Sequence, residues 1–287
     1  MCNYRIITDS CCDFPKDVLA GLDIEMVNLT LLFRGKELTD PTDAEIKTMY
    51  DALRNGETAS TSAVNPEGWK NAMEPVLKAG QDILVMAFSS GLSTTYQSAV
   101  IAAQELMEVY PQRKIKVVDT LSASLGQGLY VWYACKKRDA GLSLDELYAW
   151  CEDNKFSMAH WFTVDDLMFL KRGGRISGTT ALLGTMLNIK PVLHMDDNGK
   201  LINISKARGR KNALDALVKK LQEDGIPGEN ETIFISHGDC LADAEYVAQQ
   251  CKERCGVKEV VIGFVGAVIG SHSGPGTVAL FYLGKNR

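Results

Sequence analysis

Two hydrophobic patterns alternate along the first half of the chain. Short runs of branched apolar residues predict buried strands at 4–8, 24–33, 82–88 and 114–119. The segments between them are typical of helices, at 43–55, 66–79, 92–109 and 122–140. Within 92–109, spacing of three and four residues predicts a buried helix face made of Tyr96, Val100, Ala103 and Met107. Alternating strands and helices favour an α/β fold with a parallel sheet covered by helices on both faces.

The pattern changes after residue 156, where we expect a domain boundary. An N-terminal α/β domain over 1–156 would then precede a C-terminal domain of mixed α/β type over 157–287. The second domain is predicted to begin with a helix, a glycine-rich turn and another helix. A hairpin turning at Asp197-Asn198-Gly199, a helix at 210–223, the strand "TIFISHG", a helix at 241–254 and a closing strand pair at 258–265 and 277–283 follow.

Composition and charge exclude several classes of protein. A chain of 287 residues that is 46% hydrophobic and 23% charged is typical of a globular protein. A net charge of −5 disfavours a nucleic-acid-binding protein, and no apolar run is long enough to span a membrane. The eight cysteines include no C-x-x-C pair, which favours buried thiols over a metal site. The first residues enter a strand without a signal-peptide core, so we expect a cytoplasmic location.

Three hydroxyl-rich loops, at 8–15, 58–69 and 89–99, are expected near the carboxyl ends of the predicted strands. Because ligands bind beyond the carboxyl ends of parallel strands, these loops are candidates for a binding site. Ser93 and Thr94 are expected in the first turn of a helix, where free N–H groups favour an anion. Asn65-Pro66 predicts a helix cap, with Thr61 and Ser62 just before it. The alternative for each loop is that its hydroxyls only cap helices.

Catalytic motifs are absent. The chain contains neither a phosphate-binding G-x-x-x-x-G-K-[ST] loop nor H-E-x-x-H, and "GSHSG" has histidine where a nucleophile elbow needs serine. His272, in the run "IGSHSGPGTVAL", is therefore open to four interpretations: a catalytic base, a metal ligand, an anchor for an anion, or a turn histidine at the surface.

Motifs over most of the chain resemble those of the DegV family. They are "IITDSCCDFP", "STSAVNP", "SSGLSTTYQSA", "VVDTLSASLGQGL", "LKRGGRIS", "LLGTMLNIKPVL", "KARGRKNAL" and "VIGSHSGPGTVAL", in the family's order and spacing. One departure is Thr94, which stands where the family usually has glycine.

The resemblance implies a two-domain α/β protein of bacterial type that binds a long-chain fatty acid. Its carboxylate would be held by Thr61, Ser62, Ser93 and His272 and presented to a separate ATP-dependent fatty-acid kinase, which makes an acyl phosphate for phospholipid synthesis. This chain would then be no enzyme itself and need no metal or other cofactor. The alternatives are a stand-alone small-molecule enzyme that uses His272 with Ser93, and a regulatory protein that senses lipid.

Two basic stretches, "KRGGR" and "KARGRK", are by default solvated surface. If they are functional, Arg172, Arg175, Arg208 and Arg210 would contact the kinase partner or, transiently, an anionic membrane surface. We expect structural roles for His160, His194 and His237.

Overall fold

The computed structural model describes residues 3–177 and 188–285. Its strands form one parallel sheet, one larger mixed sheet and one small antiparallel sheet. The α/β class predicted from the pattern is confirmed. The predicted helix after the glycine-rich turn, and part of the motif "LLGTMLNIKPVL", lie outside the described residues.

The parallel sheet has the strand order β2-β1-β6-β7. Its strands are β1 (Tyr4–Asp9), β2 (Glu25–Val27), β6 (Asp82–Ala87) and β7 (Ile115–Asp119). The helices around it are α1 (Lys16–Ala20), α3 (Pro66–Lys78), α4 (Thr95–Val109), α5 (Leu125–Asp139) and α6 (Leu144–Asn154). Both faces of this sheet are apolar because α3 and α4 cover one face and α5 and α6 the other.

The predicted strand at 24–33 is two strands in different sheets. β2 pairs with β1, whereas β3 (Thr30–Phe33) joins β4 (Lys36–Leu38) and β5 (Ser60–Ser62) in the small sheet, which lies beside α2 (Asp43–Arg54). Between the two strands, the Leu29 N–H donates to Ser10 Oγ at 3.0 Å. That bond and the burial of Leu29 lead the chain from one sheet to the other.

The large sheet has the order β10-β9-β8-β13-β11-β12. Its strands are β8 (Met158–Thr163), β9 (Ile189–Met195), β10 (Leu201–Arg208), β11 (Thr232–His237), β12 (Glu259–Phe264) and β13 (Val278–Leu283). The remaining helices are α7 (Leu167–Arg172), α8 (Arg210–Asp224), α9 (Leu241–Cys255) and α10 (Ala267–Ser273). The hairpin at residues 197–199 is confirmed, since β9 and β10 pair antiparallel. The closing strands do not pair with each other, because β12 and β13 lie on either side of β11.

Each face of the large sheet has a different neighbour. α8 and α9 cover one face. The other face packs against α5 of the parallel-sheet half, through Leu125 and Leu129. The large sheet begins at Met158, and the boundary near residue 156 stays a prediction.

Two helix details differ from the sequence-based prediction. The buried face of α4 is shifted round the helix to Ala99, Ala102, Ala103 and Leu106, whereas Met107 is 36% exposed. Alanines let α4 lie close to α3 and the sheet, so the small residues face inward. α5 begins at Leu125 because Ser124 has a positive φ of 53°, which is not helical.

Candidate functional site: a cavity between the two halves

A cavity of about 560 Å³ lies between the loops of the parallel-sheet half and the inner face of the large sheet. Its volume is within the range of about 300–1,000 Å³ typical of small-molecule sites. Much of the wall is apolar, and includes Leu29, Phe88, Phe162, Met195, Val268 and Phe281. Polar groups from several loops interrupt this wall, and among them are Thr61, Ser93, Arg175 and His272, which we call the polar end.

Thr61 and His272 are directly hydrogen-bonded although 211 residues separate them. Thr61 Oγ1 lies 2.8 Å from Nε2 of His272. Thr61 is the middle residue of β5, and the following turn is held by Asn65, whose side chain accepts from the Gly68 N–H as the N-cap of α3. The predicted Asn65-Pro66 cap is therefore confirmed. His272 lies in the last turn of α10, a short helix that packs against α7 and the small sheet.

Ser62 does not belong to this cavity. It follows Thr61 within β5, where successive side chains point to opposite faces of the sheet. Ser62 is accordingly exposed and absent from the cavity wall, whereas Thr61 is half-buried. The expectation that Ser62 helps to hold a carboxylate is not supported by its position.

Ser93 lines the cavity, but not from inside a helix as expected. α4 begins at Thr95, and Ser93 precedes it. Its Oγ accepts from the Thr95 N–H at 3.2 Å and lies 2.8 Å from Thr95 Oγ1. The hydroxyl thus bonds to the first residue of α4 and also lines the cavity, so the capping contact is observed and the role of Ser93 in binding stays a prediction. Thr94, the departure from the family pattern, also lines the cavity.

Arg175 joins these loops at the polar end. Its Nε donates to Leu92 O at 3.1 Å and its Nη1 donates to Gly173 O at 2.5 Å. Arg175 lines the cavity, and no carboxylate within the described ranges forms an ion pair with it. The expectation that Arg175 contacts a partner or membrane is corrected: the turn at 173–175 directs its side chain inward.

The imidazole of His272 is neutral near pH 7. Burial lowers its pKa, and the nearby positive charge of Arg175 lowers it further, to about 4. Gly173 lies against the ring, since a Cβ at that position would overlap Nδ1 of His272. Contacts therefore run without a break from Thr61 through His272 and Gly173 to Arg175 and the Ser93 loop.

The glycines after His272 allow its helix to pack closely against neighbouring segments of the chain. Gly274 and Gly276 have φ values of 80° and 78°, in the left-handed region that favours glycine. A Cβ on Gly274 would overlap the ring of Phe169, and one on Gly276 would overlap the Asp165 carboxylate. These glycines allow the end of α10 to pack against α7 and against the loop that precedes α7. This packing holds α10, and with it His272, in position.

The remaining basic residues lie outside the cavity wall. Arg210 is paired with Asp243, with Nη2 2.8 Å from Oδ2, and is largely buried. That pairing does not support the expectation that Arg210 meets a partner. Arg172 is exposed and stacks on Phe169, with Cζ 4.5 Å from the ring centroid, and Arg208 is exposed on the edge strand β10.

Sequence reasoning missed further polar groups in the cavity wall. His160, expected to be only structural, lines the cavity and is 2% exposed. Its Nδ1 lies 2.7 Å from Met158 O and its Nε2 accepts from the Ala123 N–H at 3.3 Å. Ser124 and Ser236 line the cavity beside it. Ser236 is inside a continuous apolar strand, so only the strand register reveals which way it points.

The described part of the chain has neither a cluster of metal ligands nor a membrane-spanning helix. No three His, Cys, Asp or Glu side chains there are grouped so as to hold a metal ion. Among the helices of residues 3–177 and 188–285, none combines the length and apolar character needed to cross a membrane.

Comparisons with known proteins agree on one family. A family model described as an uncharacterised protein of the DegV family matches residues 3–285. A DegV domain-containing protein of Clostridium perfringens is 46% identical to this chain, over 100% of this chain and 99% of its own length. A structure from Thermus thermophilus, described as fatty acid binding of a DegV family protein, has a TM-score of 0.86 at 32% identity and covers 98% of this chain and 99% of its own. A DegV family structure from Ruminococcus gnavus, described with vaccenic acid, has a TM-score of 0.88 at 25% identity and covers 98% and 100%.

Proposed function

Because this chain belongs to the DegV family, we propose that it binds a long-chain fatty acid and presents it to a separate kinase. The acyl chain occupies the cavity, and the carboxylate lies at the polar end. The related structures described with fatty acids support the class of ligand.

The apolar wall suits an alkyl chain. Transfer of each methylene out of water is favourable by about 0.8 kcal/mol, so the acyl chain of the ligand supplies most of the binding affinity. A carboxylate carried into the cavity needs hydrogen-bond donors and a countercharge, because an unpaired buried charge is strongly unfavourable. The polar end offers the guanidinium of Arg175, which lacks a carboxylate partner among the described residues, together with hydroxyls of Thr61 and Ser93. A guanidinium that lines this largely apolar cavity and has no carboxylate partner among the described residues is the observation that carries the proposal.

His272 orients the site. With its pKa lowered to about 4, the ring is neutral, so it has one N–H donor and one acceptor nitrogen. The 2.8 Å bond between Nε2 of His272 and Oγ1 of Thr61 restricts the rotation of the Thr61 hydroxyl. The tautomer of the ring therefore decides whether this hydroxyl donates to the histidine or to the ligand. A charged imidazolium would add a second cation beside Arg175 and reduce the negative charge on the ligand carboxylate. The neutral ring avoids this, so the carboxylate oxygen stays nucleophilic.

The chemical step is assigned to the partner. A carboxylate oxygen of the fatty acid attacks the γ-phosphorus of ATP held by the kinase, the bond to the β-phosphate oxygen breaks, and acyl phosphate and ADP are formed. This chain has no phosphate-cradling motif of its own. We propose the cytoplasm, where ATP is available, as the compartment for this exchange. The exposed Arg172 and Arg208 are then candidates for contact with the kinase or with an anionic membrane surface.

The stand-alone enzyme is the weaker alternative. A serine nucleophile needs a base within hydrogen-bond reach. The Ser93 hydroxyl is instead bonded to Thr95, and His272 is bonded to Thr61.

Extraction and binding measurements test the proposal. Mass spectrometry of denatured, freshly purified protein should yield C14–C18 fatty acid in near-unit ratio. In delipidated protein, Thr61→Ala should weaken fatty-acid binding about 10- to 150-fold, the range for one hydrogen bond to a charged group of about 1.5–3 kcal/mol. Ser62→Ala is the matched control, because that hydroxyl points away from the cavity. Protein that neither carries nor takes up fatty acid contradicts the proposal.

A coupled assay tests presentation separately. With ATP and the cognate kinase, His272→Ala should reduce acyl-phosphate formation more than it reduces fatty-acid affinity. Binding without any ATP-dependent turnover would favour the lipid-sensing alternative.

A further inference from the structure

A second set of polar side chains lies in the cavity wall, distinct from the four residues of the polar end. Ser124, Ser236, Ser273 and Thr277 all line the cavity, and we call them the inner hydroxyl patch. None is more than 4% exposed. Ser236 is opposite Ala279 in the register of β11 and β13, and Ala279 is opposite Phe162 in β8. The three side chains therefore share one face of the large sheet, and all three line the cavity.

The patch has hydrogen-bonding capacity that the described residues do not use. Ser273 Oγ is buried and has no hydrogen-bond partner within residues 3–177 and 188–285. Ser124 Oγ lies 2.5 Å from Asp13 Oδ2 and 3.0 Å from Ser236 Oγ. A hydroxyl has one proton and two lone pairs, so Ser236, with this single hydroxyl neighbour, keeps capacity for a further bond.

The backbone of Ser124 is held in a strained conformation. Its φ of 53° and ψ of −149° are unusual for a residue with a side chain. The hydroxyl is nevertheless held between Asp13 and Ser236 at the start of α5. Buried hydroxyls facing an unsubstituted alkyl chain would lose hydrogen bonds to water without replacement, which is unfavourable.

We infer that the cavity prefers an acyl chain that carries a hydroxyl or keto oxygen on an interior carbon. This inference rests on the proposed function and specifies its ligand. The carboxylate stays at the polar end, and the interior oxygen bonds to Ser236 or Ser273. A second carboxylate on the chain is disfavoured, because the patch adjoins the buried carboxyl of Asp13 and no described cation forms an ion pair with that carboxyl.

Competition binding with delipidated protein tests this preference. The ligands are stearic acid, 2-, 10- and 12-hydroxystearic acid and octadecanedioic acid, each displacing a fluorescent fatty acid. At least one interior isomer, 10- or 12-hydroxy, should bind about 2- to 10-fold more tightly than stearic acid, the gain expected from one hydrogen bond. The 2-hydroxy acid should show no such gain, and the dicarboxylic acid should bind more weakly.

Variants assign the preference to the patch. Ser236→Ala and Ser273→Ala should bring the ratio of hydroxystearate to stearate affinity towards one. Ser273→Ala serves if Ser236→Ala fails to fold, since Ser273 Oγ bonds to none of the described residues. Ser271→Ala is the control on the same helix, because its Oγ donates to Val268 O at 2.8 Å and does not face the cavity.

Two results overturn the inference. One is wild-type protein that binds both interior hydroxy acids no more tightly than stearic acid. The other is a preference that survives unchanged in the folded patch variants. In either case stearic acid still binds, so the inference fails while the proposed function stands. Loss of stearic acid binding in wild-type protein would instead overturn the proposed function.

Discussion

Arg175→Met removes the guanidinium from the cavity wall while keeping a long, flexible side chain there. If the ligand carboxylate pairs with Arg175, the variant loses a hydrogen bond to a charged group, which contributes about 1.5–3 kcal/mol. Fatty-acid affinity should therefore fall about 10- to 150-fold. The bonds to Leu92 O and Gly173 O are lost as well, so the Ser93 loop is also less firmly held. Isothermal titration of delipidated protein with a C16 or C18 acid measures the change.

The same substitution has a second, independent readout. The charge of Arg175 is one cause of the low pKa of His272, after burial. In Arg175→Met the pKa of His272 should rise from about 4 but stay below its ordinary value of 6.5, because the ring is still buried. An NMR titration of the imidazole resolves this shift.

Arg172→Met is the matched control for both measurements. Arg172 is three residues away, is exposed and stacks on Phe169. Its loss should leave both the affinity and the His272 titration near wild type. Equal effects of the two substitutions, or an unchanged affinity in Arg175→Met, would refute the assignment of Arg175 to the polar end.

Three further predictions concern pH, packing and the basic surface. His272 has a pKa of about 4, below its unfolded value of 6.5, so its contribution to the free energy of unfolding is present above pH 6.5 and is lost as pH falls towards 4. Burial raises the pKa of Asp13 from 3.8 to about 7, so its contribution is present below pH 3.8 and is lost as pH rises through 7. Urea denaturation between pH 4.5 and 6.5 gives the slope of the free energy of unfolding against pH. Relative to wild type, this slope should be lower in His272→Gln and higher in Asp13→Asn, each by up to about 1.4 kcal/mol per pH unit. The opposite signs would contradict both assignments. Gly173→Ala should displace His272 and weaken fatty-acid binding about tenfold, the loss of roughly one hydrogen bond at its upper range, with unchanged circular dichroism; wild-type affinity would show that the ring does not need this close contact. Replacing Arg172 and Arg208 together with alanine should slow acyl-phosphate formation by the kinase and leave fatty-acid affinity within about twofold, since surface charges steer encounter; an equal loss of affinity would argue against a surface role.

Residue patterns predicted those features that depend on local chemistry. The cap at Asn65, the hairpin at residues 197–199 and most helices follow from turn and capping preferences acting over a few residues. The hydroxyl loops predicted to meet at one edge do contribute Thr61 and Ser93 to one cavity. His272 joins them through a contact spanning 211 residues, which the family resemblance indicated and local pattern did not.

Side-chain direction is what the sequence did not supply. Thr61 and Ser62 are adjacent hydroxyls, and only the pairing of β5 with β3 decides that one faces inward and the other outward. Arg172 and Arg175 stand in one basic run, but the glycine turn between them sends the second into the cavity. Ser236 lies within an apolar strand, and its direction into the cavity likewise depends on strand pairing.

The central position of β13 in the large sheet has a consequence for synthesis on the ribosome. β13 lies between β8 and β11, yet it follows every other strand of that sheet in the sequence. The strands of the parallel sheet all lie before residue 120, so they can pair while the rest of the chain is still being translated. The large sheet has two separate pieces until β13 arrives to join them.

The cavity depends on the same late event. Thr277, Ala279 and Phe281 are part of its wall, and His272 lies just before them. A nascent chain that lacks these residues has an incomplete cavity wall and leaves one edge of β8 and one edge of β11 unpaired. Under the proposed function, loading with a fatty acid therefore follows translation of β13, and the unpaired strand edges are most prone to aggregation in the interval before it.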